Sequence, residues 1–148
     1  MFEFKNSIDT LPAERQQKTR EGLVKQWEAK LKLMRILREK KALMLIGADN
    51  GAYQISGIWG LLQEMQHFSA TGYSNFDILK IATYNGALYF DRAETLGVVQ
   101  KGAKADLLLL EGNPLQDLKN LKKLSGVFKS GIFLDKKTLE AGLKGLVY

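Results

Sequence analysis

The chain has 148 residues, 45% of them hydrophobic and 26% charged, which suits one domain with a real core. Cysteine is absent, excluding disulfides and thiolate metal sites, and no apolar run approaches the ~20 residues needed to cross a bilayer. The net charge of +6 is uneven: residues 1–41 carry eleven Lys/Arg against six Asp/Glu, and residues 42–148 carry eleven against ten.

The first ten residues, MFEFKNSIDT, have no basic stretch followed by an apolar one, so they do not read as a signal peptide. The expectation is a soluble cytoplasmic protein. Residues 12–41 form the longest periodic segment. Pro12 suits a first helical turn, where its missing N–H costs nothing. Leu23, Trp27, Leu31, Met34 and Leu37 recur every three or four residues and draw one apolar stripe. Val24, Leu33 and Ile36 widen it, so one side of the helix is expected to be well buried. Lys40 and Lys41 fall in the last turn, where positive charge suits the helix dipole.

The run Leu43-Met44-Leu45-Ile46 has no alternation, the mark of a strand buried on both faces, as in a parallel sheet. A long helix followed by such a strand is half of an α/β repeat. The polar turn Ala48-Asp49-Asn50-Gly51 follows. A second helix is expected from Ser56 or Gly57 to about Ala70, with Gly72 stopping it. Ser74 and Asp77 offer a capping-box-like start to a third helix, and Thr83 is expected to cap a short fourth.

After Gly97 the texture changes. Val98-Val99 reads as a short strand, and Asp106 to Glu111 as a longer one that Asn113-Pro114 breaks. Leu124–Lys129 and Ile132–Asp135 read as a hairpin around Ser130-Gly131, and Thr138 to Leu143 as a terminal helix.

Three segments in this order resemble the metal-dependent amidohydrolase superfamily, in particular its imidazolonepropionase-like and prolidase-like members. The first is Gly47-Ala48-Asp49-Asn50-Gly51 after the apolar run. The second is Glu64-Met65, followed by Gly72-Tyr73-Ser74 and Ile81-Ala82-Thr83-x-Asn85-x-Ala87. The third runs Gly97-x-Val99-x-x-Gly102-x-x-Ala105-Asp106-Leu107-x-x-Leu110-x-x-Asn113-Pro114. A lone Gly-x-Asp-x-Gly is weak, whereas the third pattern fixes many positions over a short span.

The resemblance implies an α/β fold: the last units of a (β/α)8 TIM-type barrel within residues 1–96, and strands of a small composite β-sandwich within 97–148. It implies that Asp49 faces or binds a divalent metal, zinc above all, and accepts a proton from the attacking water. Active groups in such barrels sit at the C-terminal ends of strands, and a carboxylate beside a cation stays ionised to accept that proton. On residue type alone Asp49 reads as an Asx-turn. The substrate implied is a small amide, lactam or dipeptide-like molecule. Asp106 and Asn85 are expected to serve the fold, the first in the sandwich and the second at a helix end.

Such relatives draw metal ligands from histidines on earlier barrel strands. Here histidine occurs once, at His67, and a catalytic zinc normally takes three protein ligands. His67 reads as a surface or helix-packing residue, and Leu62 stands where many relatives have a histidine. The expectation is a C-terminal amidohydrolase fragment that is inactive alone, holds no metal by itself and pairs with an N-terminal piece.

Two alternatives stay open. A non-enzymatic assembly module would self-associate through the unpaired edges of strand 43–46. The basic helix 15–41 could instead bind nucleic acid, which steep salt dependence would reveal. Glu21, Glu28 and Glu39 interrupt its positive stripe and favour a solvated face.

Overall fold

A computed structural model describes residues 9–48 and 57–144. Within it the chain divides into two compact units, Met1–Ala42 and Leu43–Tyr148. The Asp49 turn lies outside the described residues.

Among the described residues, the first unit carries the long helix α1 (Ala13–Glu39), preceded by Pro12 at the N-cap. Pro12 has no cap to offer, and the entry is tied instead by side chains. Gln16 donates to the Leu11 carbonyl at 2.8 Å, and Arg20 pairs with Asp9 at 2.6 Å. No residue of α1 is buried, contrary to the expectation from its apolar stripe; Trp27 is 41% exposed. A stripe at helical spacing states what the helix can bury, and a packing partner must supply the burial.

The second unit carries the remaining elements. Helices α2 (Gly57–Ala70), α3 (Asn75–Ala82) and α4 (Tyr84–Tyr89) come first. Their apolar faces make the core: Leu62, Met65 and Phe68 from α2, Ile78 and Ile81 from α3, and Ala87 from α4. Ile78 is 0% exposed and lies at the centre. The start of α3 is a complete capping box. Ser74 Oγ accepts from the Asp77 amide at 3.1 Å, and Asp77 accepts from the Ser74 amide at 3.4 Å. Thr83 does not cap α4; its hydroxyl donates back to the Leu79 carbonyl at 2.8 Å.

Three helices stop the same way. After α1, α2 and α4 the chain enters the left-handed region at Lys41, Gly72 and Asp91, with φ of 52°, 89° and 56°. Each is followed by an amide that donates across five residues: Ala42 to Leu37, Tyr73 to Phe68 and Arg92 to Ala87. This is the Schellman arrangement. At α2 it carries its usual apolar contact, the Phe68 and Tyr73 rings meeting edge-on at 5.2 Å.

The sheet is three-stranded and antiparallel, in the order β1 (Leu107–Leu110), β2 (Leu124–Lys129), β3 (Ile132–Asp135). The β1–β2 register shifts between Leu109 and Leu110, which face Gly126 and Leu124 and leave Ser125 of β2 as the extra residue. A 3-10 helix (Leu118–Lys122) leads into β2. Ser130 and Gly131 both have positive φ, 51° and 83°, the signature of a primed hairpin turn. Helix α5 (Lys136–Leu143) begins at Asp135, whose carboxylate accepts from the Thr138 amide at 2.7 Å, and it packs on β2 and β3.

The chain is thus mixed α/β with a small antiparallel sheet, and two expected strands are absent. Val98-Val99 forms none, and Val99 is 85% exposed. The apolar run 43–46 has no ladder to any strand among the described residues. A parallel strand is defined by its neighbours, and the antiparallel sheet of residues 107–135 offers it none.

Candidate functional site

The segment 43–48 lacks a sheet but is not loose. Two side chains from the helical core seize its backbone. Asn85, on α4, donates from Nδ2 to the Met44 carbonyl at 2.9 Å, across 41 residues of sequence. The Gly47 amide donates to Glu64 Oε2, on α2, at 3.0 Å. The run that leads into Gly47-Ala48-Asp49 is therefore held at two points three residues apart.

Each anchor is placed by its helix. Glu64 lies between the buried Leu62 and Met65 on α2, half-buried and leaning toward the edge of the core. Partial burial pushes its carboxyl above the ordinary 4.5, opposed by the Gly47 hydrogen bond and by His67 one turn on. Asn85 is only 8% exposed and two residues before the core residue Ala87. A buried amide must find partners, and Met44 supplies one. The expectation that Asn85 serves a helix end is thus corrected: it spans to another segment. Glu64 and Asn85 both lie inside the motifs read from sequence, yet their pairing with residues 44 and 47 has no local signal.

Asp106 serves the hairpin. Its Oδ1 accepts from the Ser130 amide at 2.7 Å, and its Oδ2 meets Lys104 at 3.0 Å and Lys129 at 3.1 Å. The Ser130 bond first, then Lys104, holds the carboxyl down at about 2. Every partner belongs to the turn or its flank, so the role is structural. Leu62 is buried and also lines a cleft of about 340 Å³ with Gln66, Ser69, Asn75 and Lys119.

The amidohydrolase family model matches residues 10–133, a span that includes all three motifs and both anchors. The chain belongs to the amidohydrolase family. Among solved structures it is similar to a Xaa-Pro dipeptidase with methionine bound in its active site, at 24% identity and a TM-score of 0.63. A structure described as an amidohydrolase follows, at 23% identity and a TM-score of 0.60. In both cases the match covers 71% of this chain and 25% of the other, so the chain spans about a quarter of their length. At such identities the likeness concerns the fold. No curated protein matches.

Amidohydrolases are generally metal-dependent, and the donor set here can be tested against that. Among the described residues no three of His, Asp and Glu gather into a group that could hold an ion. The whole sequence has one histidine and no cysteine. The described residues by themselves do not bring together the three ligands that a catalytic zinc normally takes. Also among the described residues, no helix is long and apolar enough to cross a membrane.

Proposed function

We propose that this chain is the C-terminal part of a hydrolase acting on carbon–nitrogen bonds in a small amide, lactam or dipeptide-like substrate. Residues 1–96 contribute the last units of a (β/α)8 barrel, and 97–148 contribute strands to a composite sandwich. In the assembled enzyme Asp49 would help to hold a divalent ion, zinc by preference, which would supply activation of the attacking water, and Asp49 would accept that water's proton. The other ligands of that ion come from polypeptide outside this sequence. The chain alone is inactive, acts in the cytoplasm and pairs with an N-terminal piece.

The observation that carries this reading is the family match across residues 10–133 with the Gly47–Gly51 motif inside it. The unpaired run 43–46 supports it, because such an apolar segment needs strand neighbours. The test is hydrolysis of Xaa-Pro and related dipeptides, with metal content measured, by the purified chain alone and with a candidate N-terminal piece. Activity only in the mixture, abolished by Asp49→Asn, is the expected result. Stoichiometric zinc and turnover in the chain alone would overturn the claim of incompleteness.

A second reading, a non-enzymatic assembly module, draws on the open edges of the sheet and the exposed Leu108, Ile132 and Phe133. A mixture that never gains activity, together with stable self-association, would favour it.

A further inference from the structure

A groove of about 590 Å³ opens between one face of α3 and two connecting segments, and none of residues 43–48 lines it. From α3 and its C-cap come Phe76, Leu79, Lys80 and Thr83, which share one helical face. Tyr84 continues that wall, and Gly97-Val98 and Leu115 supply the others. Each wall is held in place. The Leu115 amide donates to Asn113 Oδ1 at 2.9 Å, and its carbonyl accepts from Asn75 Nδ2, at the start of α3, at 2.9 Å. Gly97 lies so close to Thr83 that a Cβ there would stand 2.6 Å from the Thr83 carbonyl oxygen. Phe76 and Leu115 remain 62% and 52% exposed. Singly, exposed apolar residues call for no explanation. Gathered round a preformed concavity, they match the mainly apolar walls of small-molecule sites, which run roughly 300–1,000 Å³.

One charged side chain lines this groove. Lys80 Nζ lies over the Tyr84 ring, 5.3 Å from its centre, which sets where the positive charge stands. No carboxylate is among the lining residues. Asp77, one turn back on α3, is engaged in the capping box, where it accepts from the Ser74 hydroxyl and amide. Among the described residues Lys80 makes no ion pair. The Thr83 hydroxyl donates to the Leu79 carbonyl, so selection of a head group falls to Lys80. An apolar groove with one placed cation discriminates by charge: an anion gains, a neutral molecule keeps only the apolar contact, and a cation is repelled. We propose that the groove binds a small amphiphilic monoanion, a carboxylate whose apolar body lies along Phe76, Val98 and Leu115 and whose head group meets Lys80. Binding there requires nothing of Asp49 or of a metal.

The test is amide NMR on the full chain, titrated with octanoate below its micellar concentration and with octanol and octylamine as neutral and cationic matches. Octanoate is expected to shift the amides of Phe76, Lys80, Tyr84, Val98 and Leu115. It should bind roughly threefold to fivefold tighter than octanol, the worth of an exposed ion pair, with octylamine weakest. Rising salt narrows that gap. Lys80→Gln brings octanoate down to the level of octanol and leaves octanol unchanged, whereas Lys80→Arg keeps the preference. Lys80 is exposed, and unmoved Ile78 methyl signals establish that both variants keep the core. Equal binding of octanoate and octanol, a preference that survives Lys80→Gln, or no shift at the groove overturns the inference. So do shifts confined to α1 or the sheet, which report apolar adsorption elsewhere. Two other occupants have their own signatures. Groove amides that move on dilution without any ligand indicate a second copy of the chain. An acetylated apolar tripeptide with a free carboxyl terminus that binds about tenfold tighter than octanoate indicates a polypeptide end. Either result overturns the assignment to a small molecule.

Discussion

Glu64 and Asp106 are carboxylates with opposite environments, and pH separates them. Partial burial raises the pKa of Glu64 in the fold, so the folded state holds its proton more tightly than the unfolded chain does. Its contribution to stability is present at acid pH and fades as pH rises from 4.5 through the elevated value. Glu64→Gln is therefore expected to flatten that part of the pH–stability curve without lowering stability at pH 7, as urea titrations across the window would reveal. Asp106 behaves in the reverse sense. Its pKa is lowered from 3.8 to about 2, first by the Ser130 amide, so it stabilises the fold above 3.8 and loses that effect as pH falls through about 2. Asp106→Asn should weaken the acid limb of unfolding and reduce stability at neutral pH, with the hairpin amides 129–131 exchanging faster. Both residues were visible in the sequence as parts of motifs. Their partners were not, because Gly47 is 17 residues from Glu64 and Ser130 is 24 from Asp106.

At the scale of elements, the connections decide more than the helices do. Gly97 has φ of 70°, and a Cβ there would lie 2.6 Å from the Thr83 carbonyl oxygen. The residues after α4 thus fold back against the α3–α4 junction, which leaves no room for a side chain. Gly97→Ala meets both a strained backbone and a backbone clash, so it should cost more than about 1 kcal/mol in chemical denaturation. The start of α3 offers a milder test. Ser74→Ala removes one half of the capping box and should cost about 1 kcal/mol, seen as a lower urea midpoint with unchanged slope. The box, the Gly72 stop and the hairpin at Ser130-Gly131 were all legible in sequence, because each depends on residues within a few positions of one another. The Val98-Val99 strand and the Thr83 cap expected from sequence do not form. Two β-branched residues do not make a strand without a partner to pair with, and the Thr83 hydroxyl found a carbonyl in the preceding turn instead.

For the molecule as a whole, apolar surface is left without cover. Leu23, Trp27 and Ile36 of α1, Leu43 and Leu45 of the segment before Gly47, and Leu108, Ile132 and Phe133 of the sheet are all exposed. Exposed apolar surface of this extent, together with strand edges that have no pairing partner among the described residues, favours association. Light scattering on the isolated chain should show mass rising with concentration, and adding a matching N-terminal piece should suppress it. A stable monomer at all concentrations would count against the proposed incompleteness. The sequence by itself determined the helices of the second unit and the hairpin, since these rest on short-range periodicity and local turn chemistry, and the ordered resemblance of its three motifs pointed to the family. Only the tertiary structure decided that α1 presents its stripe unburied, that 43–46 lacks a ladder, and that Glu64 and Asn85 reach across to hold it. Those outcomes depend on which surfaces meet, and contacts between residues distant in sequence leave no periodic trace along the chain.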